Sequence, residues 1–396
     1  MSRFHPRDFL RQMIFYLFRI FPIQQNKIVF DNYFGRAYAC NPKYITEALL
    51  AMDSSKSIDI VWTCLPKYKD TLAKGVRYVK YRSIRSYWEL ATAKVWVDNV
   101  RKRTYEKKRK KQFYIQTWHG AIGIKKSEGD AADKITPKFL KIAKYDSPQI
   151  NLMISNSTFC TQFYKRAFWY HGPIAEFGYP RNDIFANPKQ KISLQVRSFF
   201  NIDSSTSILL YAPTFRKTSA LWDQLVLDLP RLLLNLEKKF NGKWVCLLRL
   251  HPWAVKHDAN KPIFNSKIID ATHYPDIQEL LLSAGVLVTD YSSCMFDYLI
   301  QKKPAFMYAP DIQNYVEERG LLMDPFTLPF TCATDNDELE KQVLEFDIEN
   351  FIKKTELFFS ENELKEDGFA SQKTANLILN IIDNKPTSSN QTEVLE

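Results

Sequence analysis

The chain has few cysteines, and none forms a pair. Cys40, Cys64, Cys160, Cys246, Cys294 and Cys332 are widely scattered, with no C-x-x-C spacing. That excludes a zinc knuckle or a disulfide framework and indicates a reducing compartment. Arg19 interrupts the N-terminal apolar stretch, well short of the roughly 20 residues that span a bilayer. No small-residue cleavage site follows it, as a signal peptide would require. Asp335-Asn336-Asp337 has D-x-D spacing but precedes an apparent helix with no accompanying His or Asp cluster, so it reads as a helix cap and no metal is expected. No internal repeat and no nucleic-acid-binding motif is present.

What is present is a globular chain of 396 residues, 45% hydrophobic and 25% charged. That exceeds what one core organises, so two domains are expected. The net charge of +11 is uneven: residues 1–150 hold 30 Lys and Arg against 13 Asp and Glu, the remainder 25 against 31. The basic peak, residues 101–111, includes Arg101, Lys102, Arg103, Lys107, Lys108 and Arg109. It is read either as a surface for anionic lipid, a polyanionic acceptor or nucleic acid, or as a solvated loop. Near the N-terminus, Phe9, Leu10, Met13, Ile14, Leu17, Phe18 and Phe21 share one side of a helix, with Asp8, Arg11, Gln12 and Arg19 opposite. Such a helix either lies in the headgroup layer of a membrane or docks on its own domain.

Short β-rich runs alternate with helical patterns. Candidate strands are 27–31, 58–63, 95–97, 113–117 and 151–155, then 208–212, 245–250, 267–269, 286–289 and 304–307; helix-like stretches include 42–52, 84–93, 225–240, 276–283 and 296–301. The alternation predicts an α/β protein with parallel sheets covered on both faces. The expected organisation is an amphipathic membrane-associating helix (1–24), an N-terminal α/β domain (25–185), a C-terminal α/β domain (186–384) and a frayed polar tail (385–396). Two open sheets of this kind keep ligands at the carboxyl ends of their strands, here expected to face a central cleft.

The residues with chemistry sit at such ends. Thr289-Asp290-Tyr291-Ser292-Ser293 closes an apolar run and opens the helical run that contains Asp297. Hydroxyls at a helix start offer side-chain oxygens and N–H groups to a phosphate, although the same pair also serves as an ordinary N-cap. Thr117-Trp118-His119-Gly120 and Arg249-Leu250-His251-Pro252 place one histidine at a strand end in each half. Histidine is suited to accept a hydroxyl proton near neutral pH or to donate to a phosphate oxygen. Thr214 and Arg216 follow another strand, and Arg249 lies on the same face of an extended chain as His251, so both would reach one diphosphate. Either arginine serves equally well in a structural ion pair.

With Gly178-Tyr179-Pro180-Arg181-Asn182-Asp183 between the first histidine motif and Thr214, and Asp367-Gly368-Phe369-Ala370-Ser371 after Asp297, these motifs occur in an order that resembles the CDP-glycerol glycerophosphotransferases that prime and polymerise teichoic acids. The resemblance covers residues 25–380. It implies a GT-B-like fold of two Rossmann-type domains, the second holding the nucleotide. It also implies a peripheral enzyme on the cytoplasmic face of a bacterial membrane. The expected reaction moves glycerol phosphate or a related alditol phosphate from CDP-glycerol or CDP-ribitol to a lipid-linked polymer acceptor, with no cofactor besides that donor. By the same resemblance His119 is the base, His251, Ser292 and Ser293 contact the diphosphate, and Asp297 holds a donor hydroxyl; Gly120, Thr214, Arg216, Arg249 and Thr289 complete the substrate-binding set. Two readings compete: a GT-B glycosyltransferase using a nucleotide sugar, and a non-catalytic polyanion binder. A capsule-type sugar-phosphate polymer synthase is a further possibility within the family.

Overall fold

The computed structural model describes residues 6–53, 55, 57–120, 122–187, 190–214, 227–250 and 264–384. The chain forms two compact units: one of Met1–His119, Ser127–Asp183 and Leu364–Glu396, the other of Gly120–Lys126 and Ile184–Glu363.

The first unit is built on a parallel sheet of β1 (Gln24–Asp31), β2 (Asp59–Cys64), β3 (Arg77–Lys80), β4 (Ala93–Asp98), β5 (Phe113–Gln116), β6 (Leu152–Ile154) and β7 (Ile174–Ala175). The strand order is β3-β2-β1-β4-β5-β6-β7. Its central strands read as unbroken apolar runs because helices cover both faces: Ile28, Val29 and Phe30 of β1 and Val95, Trp96 and Val97 of β4 are all buried. Ile28 lies opposite Val95 and Phe30 opposite Val97. The strand order reverses between β1 and β4, the place where open α/β sheets bind ligands.

The closing segment belongs to this first unit, which corrects the expected 186–384 domain. Asp183 accepts the backbone N–H groups of Ala370 (3.0 Å) and Ser371 (2.7 Å) and the Ser371 hydroxyl. Glu366 accepts from the Asn156 and Asn182 amides at 2.7 and 2.8 Å and from the Tyr179 N–H at 3.2 Å. These bonds seat the helix Ala370–Ile382. The 178–183 and 367–371 motifs thus form a clasp within one unit. Gly178 is needed there: its φ is +88°, and a Cβ would lie 2.4 Å from the Lys365 carbonyl oxygen.

The second unit has β8 (Thr206–Ala212), β9 (Lys243–Leu248), β10 (Ile268–Asp270), β11 (Val286–Thr289), β12 (Ala305–Tyr308) and β13 (Thr331–Ala333). All are parallel, in the order β10-β9-β8-β11-β12-β13. Here the reversal falls between β8 and β11, so Thr214 and Asp290 follow the two strands that flank it. Residues 120–126 join this unit through Leu322 N–H to the Ile124 carbonyl (2.7 Å) and Lys126 N–H to the Gly320 carbonyl (3.2 Å). Asp335 caps the helix Asn336–Leu344 by accepting the Glu338 N–H at 2.8 Å. Asp337 pairs with Arg231 at 2.7 Å. The D-x-D pair therefore serves helix ends and surface pairing.

The N-terminal helix is Pro6–Phe18. Phe15 is fully buried and meets Trp96 edge-on at 6.3 Å, while Phe18 and Phe21 meet Trp88 at 5.6 and 4.6 Å. On the opposite side Phe9, Leu10, Met13, Leu17 and Ile20 are each more than half exposed. Arg11 lies inward, over the Tyr105 ring. The expected amphipathic face is thus divided: Phe18 and Phe21 touch Trp88, while Phe9, Leu10, Met13 and Leu17 are exposed and Ile14 is partly so. No helix among the described residues is long and apolar enough to cross a membrane.

Candidate functional site

In the first unit the strand end after β5 is held by several hydrogen bonds. Thr117 N–H donates to the Asp98 carbonyl at 2.9 Å, and Asn41 Nδ2 donates to the Thr117 and Trp118 carbonyls at 3.2 and 3.1 Å. Trp118 adopts a left-handed φ of +52°, a disfavoured conformation for a bulky residue that only surrounding contacts sustain. Its N–H donates to Gln116 Oε1 at 2.9 Å and its ring meets Phe168 at 4.5 Å. The turn delivers His119 partly exposed, with Nδ1 2.6 Å from the Asn99 carbonyl oxygen. A carbonyl only accepts, so Nδ1 carries the hydrogen, and in the neutral ring the accepting lone pair is at Nε2. The ring also lies edge-on to Tyr33 at 5.5 Å.

Beneath this turn is a buried charge cluster. Lys102 Nζ lies 2.7 Å from Asp98 Oδ2 and 3.8 Å from Asp31 Oδ2. Burial pushes the Asp31, Asp98 and Glu106 carboxyls up from their ordinary values, with the Lys102 charge opposing.

The reading of the basic run as an acceptor or lipid surface is corrected for Arg101 and Lys102, which are buried. Arg101 is 2% exposed and bonds Glu128 through Nε at 2.9 Å and Ser147 at 3.0 Å, with Asp146 at 3.4 Å. Lys102 is 3% exposed. Arg109 Nη1 donates to the carbonyls of Arg19 and Phe21, both at 2.8 Å, holding the end of the N-terminal helix segment. Lys108 donates to the Gln112 carbonyl at 3.0 Å, and burial lowers its ammonium to about 8. Arg103 lies over the Phe34 ring at 4.4 Å and Lys107 over Tyr145 at 5.5 Å. Lys110 and Lys111 are the exposed members of the run. Within the run, Arg101 and Lys102 serve as counter-charges to buried acids.

In the second unit Ser292 and Ser293 are partly exposed at the start of the helix Cys294–Leu299. Neither makes a good cap. Ser293 has no side-chain capping bond, and Ser292 Oγ accepts the Cys294 N–H only at 3.4 Å. The ordinary N-cap reading of the pair is therefore the weaker one, and both hydroxyls sit at the strand-order reversal. The Asp290 carboxylate, which sequence reasoning left without a role, accepts the Thr214 N–H at 2.9 Å, the Thr214 hydroxyl and the Tyr291 N–H at 2.6 Å. Thr289 is corrected as a substrate contact, being fully buried with its hydroxyl donated to the Ala212 carbonyl at 2.6 Å. Asp297 is 3% exposed and accepts from Gln278 Nε2 at 3.3 Å. Arg249 Nη1 donates to the Ala271 and Tyr274 carbonyls at 3.1 and 2.7 Å, so part of its guanidinium braces a loop. Gly120 follows His119 and is partly exposed. His251 and Arg216 lie outside the described residues.

The two parallel sheets thus carry at their strand ends a histidine with an assigned tautomer and a serine pair whose one capping contact, Ser292 to the Cys294 N–H, is long. Residues 13–380 match the family described as CDP-Glycerol:Poly(glycerophosphate) glycerophosphotransferase. The chain belongs to that family.

Among curated relatives, the teichoic acid poly(glycerol phosphate) polymerase of Staphylococcus epidermidis is 30% identical over 369 residues, 90% of this chain and 51% of that protein. This family member thus spans about half the length of that relative. The teichoic acid glycerol-phosphate transferase of Staphylococcus aureus is 28% identical over 367 residues, 89% of this chain and 93% of that one. A solved structure of a variant of the wall teichoic acid polymerase TagF, soaked with CDPG, covers 96% of this chain and 99% of its own at a TM-score of 0.80 and 29% identity. The fold is α/β with two parallel sheets and is GT-B-like.

Proposed function

We propose that this protein transfers glycerol phosphate, or a related alditol phosphate, from a CDP-alditol to a lipid-linked or polymer acceptor and releases CMP. The acceptor hydroxyl oxygen forms a bond to the phosphorus that bears the alditol. The bond from that phosphorus to the bridging oxygen breaks, and the electron pair leaves with CMP. His119 Nε2 takes the hydroxyl proton. Ser292 and Ser293, with His251, Arg216 and Gly120, hold the donor, and their N–H and O–H groups favour the charge that grows on the leaving oxygens; Thr214, whose N–H and hydroxyl go to Asp290, braces the loop beside them. The observation that carries this reading is the Nδ1 contact of His119 with the Asn99 carbonyl, because it fixes the ring in the form that accepts a proton at Nε2. CDP-glycerol and CDP-ribitol are the donors proposed, with no metal or organic cofactor.

The protein works, in this account, as a peripheral enzyme on the cytoplasmic face of the membrane. The outward row of Phe9, Leu10, Met13, Leu17 and Ile20 supports a seat in the headgroup layer, with Lys110 and Lys111 as exposed cations for anionic lipid. A polyanion-binding role for residues 101–111 is disfavoured, because Arg101 and Lys102 are buried against acids.

The test supplies radiolabelled CDP-glycerol, CDP-ribitol and nucleotide sugars with a lipid-linked acceptor. Label from the alditol phosphate in the product, with stoichiometric CMP, is expected. Transfer of sugar alone would replace this reading by a glycosyltransferase.

A further inference from the structure

His119 is held by a main-chain carbonyl, and a main-chain carbonyl is only as well aimed as the residue that bears it. Asn99 is fully buried, and its side chain is bonded at both ends. Its Oδ1 accepts the Tyr33 N–H at 2.9 Å, and its Nδ2 donates to Asn32 Oδ1 at 2.6 Å. Asn32, also fully buried, donates Nδ2 to the Arg36 and Ala37 carbonyls at 3.2 and 3.1 Å. Backbone partners fix both amide orientations: the Tyr33 N–H can only donate, and the Arg36 and Ala37 carbonyls can only accept. The chain of bonds therefore has one polarity from Tyr33 to Ala37.

The turn that these amides hold is unusual. Tyr33, Phe34 and Gly35 have φ of +48°, +60° and +78°, and Ala37 has +68°. Successive left-handed residues are disfavoured for L-amino acids and persist where surrounding bonds over-determine them. Asp31 adds one such bond, accepting the Gly35 N–H at 2.9 Å. The strained turn follows β1 and Asn99 follows β4, the two strands between which the order reverses. It places the Tyr33 ring in a T-shaped contact with His119, while Asn99 presents its carbonyl to Nδ1.

We infer that Asn99, locked by Asn32, is a positioning residue that sets the tautomer and aim of His119. The Asn32–Asn99 amide pair couples the ends of β1 and β4, so the Tyr33 and Asn99 contacts on the imidazole come from one braced unit. Asn99 touches no reacting atom in this scheme; it acts through His119. The inference rests on the transfer reading proposed above for the consequence on rate, but its statement about the ring stands without it.

The test has a spectroscopic arm and a kinetic arm, both on the full chain. In the first, 15N-histidine spectra are recorded, with His119→Gln used only to assign the His119 signals. The wild type is expected to show a protonated Nδ1 and an unprotonated Nε2 in the neutral ring. Asn99→Ala and Asn32→Ala are each expected to shift the ring toward a tautomer mixture. A wild-type ring protonated at Nε2 would overturn the inference, whatever the substrate proves to be. In the second arm, each variant is expected to lower kcat for alditol phosphate transfer by about tenfold or more, with KM for CDP-glycerol within about twofold. Unchanged kcat in both folded variants overturns it equally. If Asn99→Ala does not fold, Asn32→Ala and the wild-type spectrum decide. Absence of any transfer by the wild type with an intact Nδ1–H signal would instead count against the proposed function alone.

Discussion

Asp290 holds Thr214 by both its backbone N–H and its hydroxyl, tying the chain after β8 to the chain after β11. These are the strands between which the second sheet reverses its order. The two Asp290 carboxylate oxygens accept from the Thr214 N–H, the Thr214 hydroxyl and the Tyr291 N–H. Asp290→Ala leaves those donors without their partner, at a cost of about 1–3 kcal/mol. The expected result is a lowered melting temperature and a CDP-glycerol Kd raised by about tenfold, the equivalent of roughly 1.4 kcal/mol. Calorimetric titration and thermal unfolding of the full chain check both.

Arg101 is the charge whose removal is expected to hurt folding most. Arg101→Ala leaves Glu128 and Asp146 buried without their cation, and loss of one partner of a buried pair costs about 3–5 kcal/mol. Lys110→Ala and Lys111→Ala, both exposed, are expected to change stability by no more than about 0.5 kcal/mol. Denaturant unfolding of the three variants measures the contrast.

Much of the architecture is legible in the sequence, because parallel strands buried on both faces are dense apolar runs. The stretches 95–97, 113–117 and 286–289 correspond to β4, β5 and β11 within a residue or two. β3, β7 and β13 have no counterpart among the expected strands: β3 carries two basic residues in four, and β7 has only two residues. Residues 101–111 mislead for a different reason. Arg101 is neutralised by Glu128 and Asp146, 27 and 45 positions away, which no local charge count reveals. His119 and Ser292 announce themselves at strand ends, but Asn99 follows β4 with no motif around it. Its importance lies in contacts with Tyr33 and His119, 66 and 20 residues distant. The return of residues 364–384 to the first unit is hidden likewise, since Asp183 meets Ala370 across 187 residues.

Asp146 gives the fold a pH dependence. Burial raises its carboxyl to about 7, with Arg101 opposing. A carboxyl raised in the folded state contributes stability that is fully present below its unfolded value near 4 and is lost as pH rises through 7. Stability is therefore expected to decline between pH 4 and pH 7 by on the order of 1 kcal/mol or more from this group. Asp146→Asn keeps the shape and removes the charge, so its melting temperature relative to wild type is expected to rise across that window. Parallel melts at several pH values read the difference; a constant offset would contradict the assignment.

The N-terminal helix is tested better by substitution than by deletion. Removing residues 1–24 strips Phe15, Phe18 and Phe21 from Trp96 and Trp88, and loss of a buried Phe alone costs about 3–5 kcal/mol. Leu10→Glu with Leu17→Glu alters exposed positions only. The double variant is expected to melt like wild type and to lose flotation with vesicles containing anionic lipid, since each leucine offers about 1.5–3 kcal/mol of burial. Undiminished flotation would remove the helix from membrane binding.

The central claim is that His119 accepts the proton of the attacking hydroxyl in alditol phosphate transfer from a CDP donor. The most direct test is transfer of labelled glycerol phosphate to a lipid-linked acceptor by wild type and His119→Ala, with CDP-glycerol binding measured in parallel. The account predicts a loss of about 10²–10⁴ in turnover with binding nearly preserved. Full turnover in His119→Ala would contradict it.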